Sequence, residues 1–239
     1  MQIVPVSDID IRLVPGAWPL PQAMREEVPD FWRSALAANP HLWDGRILGL
    51  AAPGGGPVGI MDGRLQVEAR EDAYSAFMLW RSRGFPDIGL SHAFVWALIV
   101  SSDGALIYGV MGGQTANAGR VYPPGGSLEP RDVLPDGRVD ALGAMALELS
   151  EETGLVASDA ETGMTVAVLD GPRLSLGRVF RFAEPAADLL GRIRANLAAQ
   201  DHRELADVIA IHSPDEARQA RAVPYAIAVA EAFAASRIV

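Results

Sequence analysis

Glu148, Glu151 and Glu152 stand at i, i+3 and i+4 in a segment whose pattern predicts a helix from about Val139 to Thr153. That spacing puts three carboxylates on one helical face, within side-chain reach of one another. The arrangement is costly. Like charges at i, i+4 oppose a helix by roughly 0.2–0.5 kcal/mol, and acids in the last turn oppose its negative end by ~0.3–1 kcal/mol each. Gly154 marks that last turn, since glycine is preferred in the left-handed position just past a helix. No Lys or Arg lies within a turn to relieve the acids. A solvated acidic edge is one reading. The other is a hard divalent cation: Mg²⁺ takes few carboxylates, keeps waters and shares its shell with substrate phosphates. Zinc does not suit the set, because the chain has no Cys and its four His are scattered.

The elements that must place these acids can be read outward from the helix. Leu142, Met145 and Leu149 form a neighbouring apolar face, and a Pro-Pro-Gly-Gly loop (residues 123–126) precedes it; such glycines let backbone carbonyls approach a ligand. Before the loop, AFVWALIV and ALIYGVMG flank an Asp-Gly turn and predict a close strand pair from Ser91 on. After the helix come expected strands at Met164–Leu169, Arg178–Phe182 and Val208–Ile211, with helices at Ala186–Ala199 and Tyr225–Ile238. Upstream, strands are expected near Ile11–Val14, Ile47–Ala51 and Leu65–Ala69, with helices at Pro21–Ala38 and Glu71–Arg83. Interleaved helices and strands predict an α/β sandwich around a mixed sheet. Residues 1–90 read as an α+β N-terminal extension packed on a main domain at 91–239.

Composition narrows the partners. The 239 residues carry a formal charge of −10, and all 20 basic residues are Arg. This argues against a nucleic-acid surface, which depends on cations neutralising phosphates, and for a small-molecule partner. No signal-peptide pattern opens the chain, and no apolar run approaches the ~20 residues of a membrane span. A cytoplasmic address without membrane contact is the expectation. The Ala-rich closing helix reads either as a core element or as a homodimer face.

PPGGSLEPRD followed by ALGAMALELSEETGL resembles the Nudix box. In that pattern Gly126 matches the first glycine, Glu148 the Glu after the Arg, Glu151 and Glu152 the paired acids, and Gly154 and Leu155 the closing pair. Two departures stand out. Gly126 and Gly154 are 28 positions apart, against 21 in the usual box, so seven extra residues lie between them, most easily in VLPDGRVD, and Asp132 takes the place of the first Glu. Leu147 stands where the family has an Arg that pairs with one of the acids; Arg131 and Arg138 are the nearest cations in sequence.

The resemblance implies a Nudix-type α/β/α fold and a hydrolase that uses Mg²⁺ or Mn²⁺ to split the diphosphate of a nucleoside diphosphate linked to another moiety. It makes Glu148 and Glu152 the principal metal ligands, Glu151 a ligand or orienter, and the Gly126 region a backbone-carbonyl ligand. Glu204, just before a strand, is the candidate for an added acid from a later loop, while Arg120 and Arg178 are candidates for substrate phosphates. His202 and His212 read as surface or core residues rather than catalytic ones, and Trp80 and Trp96 as core. From Asn39 to Leu155 the chain more loosely resembles the Nudix branch that includes UDP-sugar diphosphatases, implying a nucleotide-sugar substrate. Trp43, in the LWDGR segment, reads alternatively as packing for a strand and turn. A competing reading, motivated by Leu147 and the inserted loop, is a Nudix-fold module that binds a nucleotide for regulation without turning it over.

Overall fold

In the computed structural model, which describes residues 1–56 and 58–239, the apolar and alternating runs resolve into eleven strands and six helices. In chain order these are β1 (Gln2–Pro5), β2 (Asp8–Leu13), α1 (Gln22–Ala38), β3 (Arg46–Ala51), β4 (Ile60–Met61), β5 (Arg64–Ala73), α2 (Tyr74–Ser82) and β6 (Ser91–Val100). They continue with β7 (Leu106–Met111), β8 (Val121–Tyr122), α3 (Ala141–Thr153), β9 (Glu161–Asp170), β10 (Arg173–Arg181), α4 (Ala186–Ala199), β11 (Leu205–Ile211), α5 (Pro214–Gln219) and α6 (Pro224–Ala234). All strands join one mixed sheet. Its main path runs β1-β9-β10-β6-β3-β5-β2, with β7, β8 and β11 branching from the far end of β6. Helices cover both faces, giving the expected α/β sandwich. Ala93, Val95 and Ala97 lie on the α3 side of β6, while His92 and Phe94 face Phe77 of α2 and Tyr225 of α6.

β6 is apolar over nearly its whole length because it is covered on both faces, as near-continuous hydrophobic strands are. Its neighbours change along its course. β3 pairs with its start through Gly49 and Leu50, and β7 with its end through Ile99 and Val100. The gap between them is filled by the Pro-Pro-Gly-Gly segment: Val95 N–H donates to the Gly126 carbonyl and Ala97 N–H to that of Pro124, each at 2.8 Å. Gly125 lies so close to β6 that a Cβ there would collide with the Val95 carbonyl. The glycine-rich loop is therefore pinned to the central strand.

Residues 1–90 place β1 beside β9 and β3 beside β6 in the same sheet. The inserted residues of VLPDGRVD form a small hairpin, Leu134 N–H donating to Arg138 O at 2.7 Å, that docks on β2, with Leu13 N–H donating to Gly137 O and Val139 N–H to Ile11 O at 2.9 Å. Its partner β2 ends the main path of the sheet, and an uncovered edge strand invites pairing with other chains.

Several boundaries differ from expectation, among them β2, which begins at Asp8 rather than near Ile11, and β11, which begins at Leu205 rather than Val208. Helix α2 begins at Tyr74 rather than Glu71, because β5 continues to Ala73. Asp72 anchors that end of the strand, its carboxylate accepting the Trp18 N–H (2.9 Å) and an Arg25 guanidinium (2.8 Å). Strand β10 begins at Arg173 rather than Arg178, paired with β6 from His92 onward. The closing helix stops at Ala234, followed by a left-handed Ser236 (φ 53°) that turns Ile238 into the core. Trp80 and Trp96 are core residues as expected, their indole N–H groups bonded to Pro86 O (2.8 Å) and Ser175 Oγ (3.0 Å). Among the described residues, no helix is long and apolar enough to cross a membrane.

Candidate active site

Helix α3 is fixed at both ends. Asp140 caps its start, accepting the Gly143 N–H at 2.9 Å, and left-handed Gly154 closes it at φ 71°. Met145 and Leu149 are fully buried, while Leu142, expected on the same face, is exposed; Ala141 and Ala144 fill that side instead. With this face against the sheet, the three acids enter different surroundings.

Glu152 is buried. Its Oε2 accepts the Gly125 N–H at 2.9 Å, and its Oε1 is sealed from solvent without any hydrogen-bond partner. Burial, then the nearby Glu148 and Glu204, hold its pKa well above the ordinary carboxylate range. Glu148 is mostly covered; a Cβ at position 126 would come within 2.5 Å of its Oε1, so Gly126 gives this carboxylate its room. Burial first, then Glu204, push the Glu148 pKa up to about 8 against the pull of Arg131. Glu151 is exposed and held bidentately by Arg131, with Nη1–Oε1 at 3.0 Å and Nη2–Oε2 at 3.1 Å. The same guanidinium lies 3.5 Å from Glu148 and 3.4 Å from Glu129. Burial lowers the Arg131 pKa, but its hydrogen bonds to the Glu151 carboxylate and the surrounding acids outweigh it and raise the value.

Arg131 is thus the cation that pairs with the acids of α3, while Leu147 is exposed on that helix. Arg138 does not compete; it pairs with Asp136 at 2.7 Å in the inserted hairpin. Asp132 is also used locally, accepting the Glu129 N–H at 2.8 Å to cap the short turn at Pro130–Asp132 that carries Arg131.

Glu148, Glu151 and Glu129 line a cleft of about 830 Å³, with Glu152 buried behind Gly125. Glu204 stands at its rim, close enough that burial and then Glu151 raise its pKa, and it raises those of Glu148 and Glu152 in turn. Arg120 lines the cleft. Arg178 does not. It shares strand parity with Leu174 and Leu176, opposite the cleft-lining Arg173 and Ser175, and its Nε is buried without a partner. His202 lies at the cleft and is exposed, while His212 is outside it, 3.3 Å from Glu216.

The cleft also holds residues the sequence reading passed over. Arg81 of α2 is half-buried there. It donates to Asn117 Oδ1 at 3.2 Å and has no carboxylate partner among the described residues; burial, then Arg120, lower its pKa. His92 is sandwiched by Phe77 and Phe94, and burial lowers its pKa to about 3, leaving it neutral. A glycine pair followed by acids was a usable signal for Gly125 and Glu129. Nothing local marked Arg81.

Among the described residues no group of three or more Asp, Glu or His is disposed to hold a metal alone. Two buried carboxylates, one with an unpartnered oxygen, suit a cation that takes one or two carboxylates and completes its shell with water and phosphate. Without a cation, burial and mutual repulsion favour the protonated acids.

No protein-family model and no curated protein matches this chain. Solved structures similar in part include a NUDIX hydrolase from Nitrosomonas europaea (18% identity, 62% of this chain and 91% of that one, TM-score 0.42). A MutT protein from Methanosarcina mazei Go1 is 20% identical over 62% of this chain and 95% of its own, at TM-score 0.41. The NUDIX domain of Shewanella oneidensis NrtR, complexed with ADP ribose, is 15% identical over 65% and 91%, at TM-score 0.40. At such identities and scores the likeness adds nothing to what the site's own residues say.

Proposed function

We propose that this protein is a Nudix-type pyrophosphohydrolase that, with Mg²⁺ or Mn²⁺, splits the diphosphate of a nucleoside diphosphate linked to another moiety, a nucleotide sugar such as a UDP-sugar being the favoured class. Residues 91–239 form the hydrolase domain, and residues 1–90 an extension that supplies the cleft's second wall. The observation that carries this reading is Glu152: a buried carboxylate with an unpartnered oxygen, bonded to Gly125 and close to Glu148, both of which line a large cleft. Burying such a group is unfavourable unless something pairs with it.

In this reading Glu148 and Glu152 hold the cation, and Glu151 is kept in line by Arg131. Gly126 is the candidate carbonyl ligand, one lone pair of its oxygen being taken by Val95; Gly125, whose N–H points to Glu152, is its neighbour in that role. When bound, the metal supplies neutralisation of phosphate charge and acidification of water. In the same reading Glu204, which lines the cleft and is felt electrostatically by Glu148 and Glu152, accepts a proton from the attacking water. Arg120 and Arg81 meet the phosphate oxygens, an arrangement suited to arginine's fork of donors. The regulatory-module reading drew on Leu147, and Arg131 offsets that loss.

The test is metal-dependent release of nucleoside monophosphate from UDP-sugars, ADP-ribose, dinucleotides and nucleoside triphosphates. Turnover of a diphosphate-linked substrate is expected; tight metal-dependent binding without any turnover would favour the module. With the best substrate, Arg81→Ala and Arg120→Ala should each raise KM by roughly tenfold or more, the worth of a hydrogen bond to a charged group at ~1.5–3 kcal/mol. An unchanged KM in both variants would remove the arginines from the substrate's path.

A further inference from the structure

Trp43 is the exposed aromatic of the cleft wall. Of the large apolar side chains open to solvent among the described residues it alone is aromatic, at 52% exposure. The other rings there are spoken for: Phe77 stacks on His92 with centroids 4.0 Å apart, and Phe94 packs against His92 at 5.6 Å and Tyr225 at 5.3 Å. Trp43 is nonetheless held in place. Its indole lies against Gly45, so closely that a Cβ there would overlap the six-membered ring, and it is tilted 52° to Tyr74 at a centroid distance of 6.0 Å. With its ring held against the main chain at Gly45, about half of its surface stays open to solvent.

An indole packed against Gly45 and Tyr74 and half open to solvent at a cleft wall suits a flat π-system. Stacking on an aromatic side chain favours any nucleobase, because every base has a π-face, and it does not depend on reading the base edge. A sugar or a phosphate offers no such plane. We propose that Trp43, seated on Gly45, is the stacking surface for the substrate's nucleobase, so that the N-terminal 90 residues hold the nucleoside while the acids of α3 address the diphosphate. This rests on the hydrolase reading for the identity of the ligand, and its test is independent of turnover.

Binding of uridine and adenosine 5′-monophosphates is compared with that of ribose 5-phosphate, the same anion without a base, by calorimetry and tryptophan fluorescence. Of the five Trp, Trp18, Trp80 and Trp96 are buried and Trp32 of α1 is half-buried outside the cleft lining, so Trp43 should dominate quenching by a ligand in the cleft. The monophosphates should bind roughly tenfold more tightly than ribose 5-phosphate, an advantage in line with one base stacked on one ring. Trp43→Ala should erase that advantage, and Trp43→Phe should keep most of it while losing the quenching. Gly45→Ala should weaken base-dependent binding although Trp43 remains, because the methyl evicts the indole. Thermal melts of each variant check the fold. Equal binding of both ligand types by the wild type, or an undiminished base advantage in Trp43→Ala, overturns the proposal. Absence of any diphosphate turnover with base-dependent binding intact would instead sink the hydrolase reading alone.

Discussion

Glu152→Gln is expected to abolish most turnover and, at the same time, to make the metal-free protein more resistant to heat. On the proposed function, activity falls because one of the two carboxylates proposed to bind the metal loses its charge; groups that merely orient a ligand cost 10–100-fold, so a loss of at least about a hundredfold is expected here. Stability moves the other way for an electrostatic reason. The folded-state pKa values of Glu152 and Glu148 are raised above the ordinary 4.5, that of Glu148 to about 8, burial being the first cause in both. Between those limits the folded protein holds protons that the unfolded chain has released, so metal-free stability falls as pH rises. Gln at position 152 removes one of these burdens. The advantage of the variant should be absent near pH 4.5 and grow toward pH 8, each kcal/mol appearing as about 2–4 °C in Tm for a chain of this size. Thermal melts in chelator across that range, beside kcat measurements, check both halves. A variant that is inactive and less stable at every pH would point to a structural role for the carboxylate.

Arg131→Ala should cost roughly 10–100-fold in kcat, as removal of a group that orients a metal-site acid does, and adding Leu147→Arg should recover much of the loss. Arg131 is the cation that grips Glu151 with two bonds and reaches Glu148 and Glu129. An Arg at 147 would sit four residues before Glu151 on α3, where opposite charges are neighbours. Steady-state kinetics on wild type, single and double variants decide the matter. Full activity in Arg131→Ala would mean that Glu151 needs no partner, and failure of the double variant to recover would mean that the helix cannot deliver the charge from position 147.

The sequence was most informative where chemistry was local. The three acids and Gly154 lie within seven residues, so helix geometry alone predicted their common face, and the Asp-Gly turn flanked by apolar runs located β6 and β7. Burial was less legible: spacing made the acids equivalent, and only the packing of Met145 and Leu149 makes Glu152 buried and Glu151 exposed. Arg131 was near in sequence, but its grip on Glu151 depends on a short turn capped by Asp132 that no periodicity announces. Arg178 was misplaced through strand parity. Starting the strand at Arg178 hid its register, whereas counting from Arg173 assigns it to the face away from the cleft. Arg81 and Trp43 reach the cleft from the first ninety residues through long-range pairing of β3 with β6, a contact that local propensity does not encode.

The central claim is that the acids at the end of α3 hold a divalent cation, and the most direct measurement is a thermal melt of the wild type and Glu152→Gln with increasing Mg²⁺ or Mn²⁺, with and without nucleoside monophosphate. A ligand that binds only the folded state stabilises it by about 2.7 kcal/mol at a hundred times its Kd. The wild type should therefore show a saturating rise in Tm that Glu152→Gln lacks. No rise in the wild type with either metal, or an equal rise in both proteins, would contradict the account.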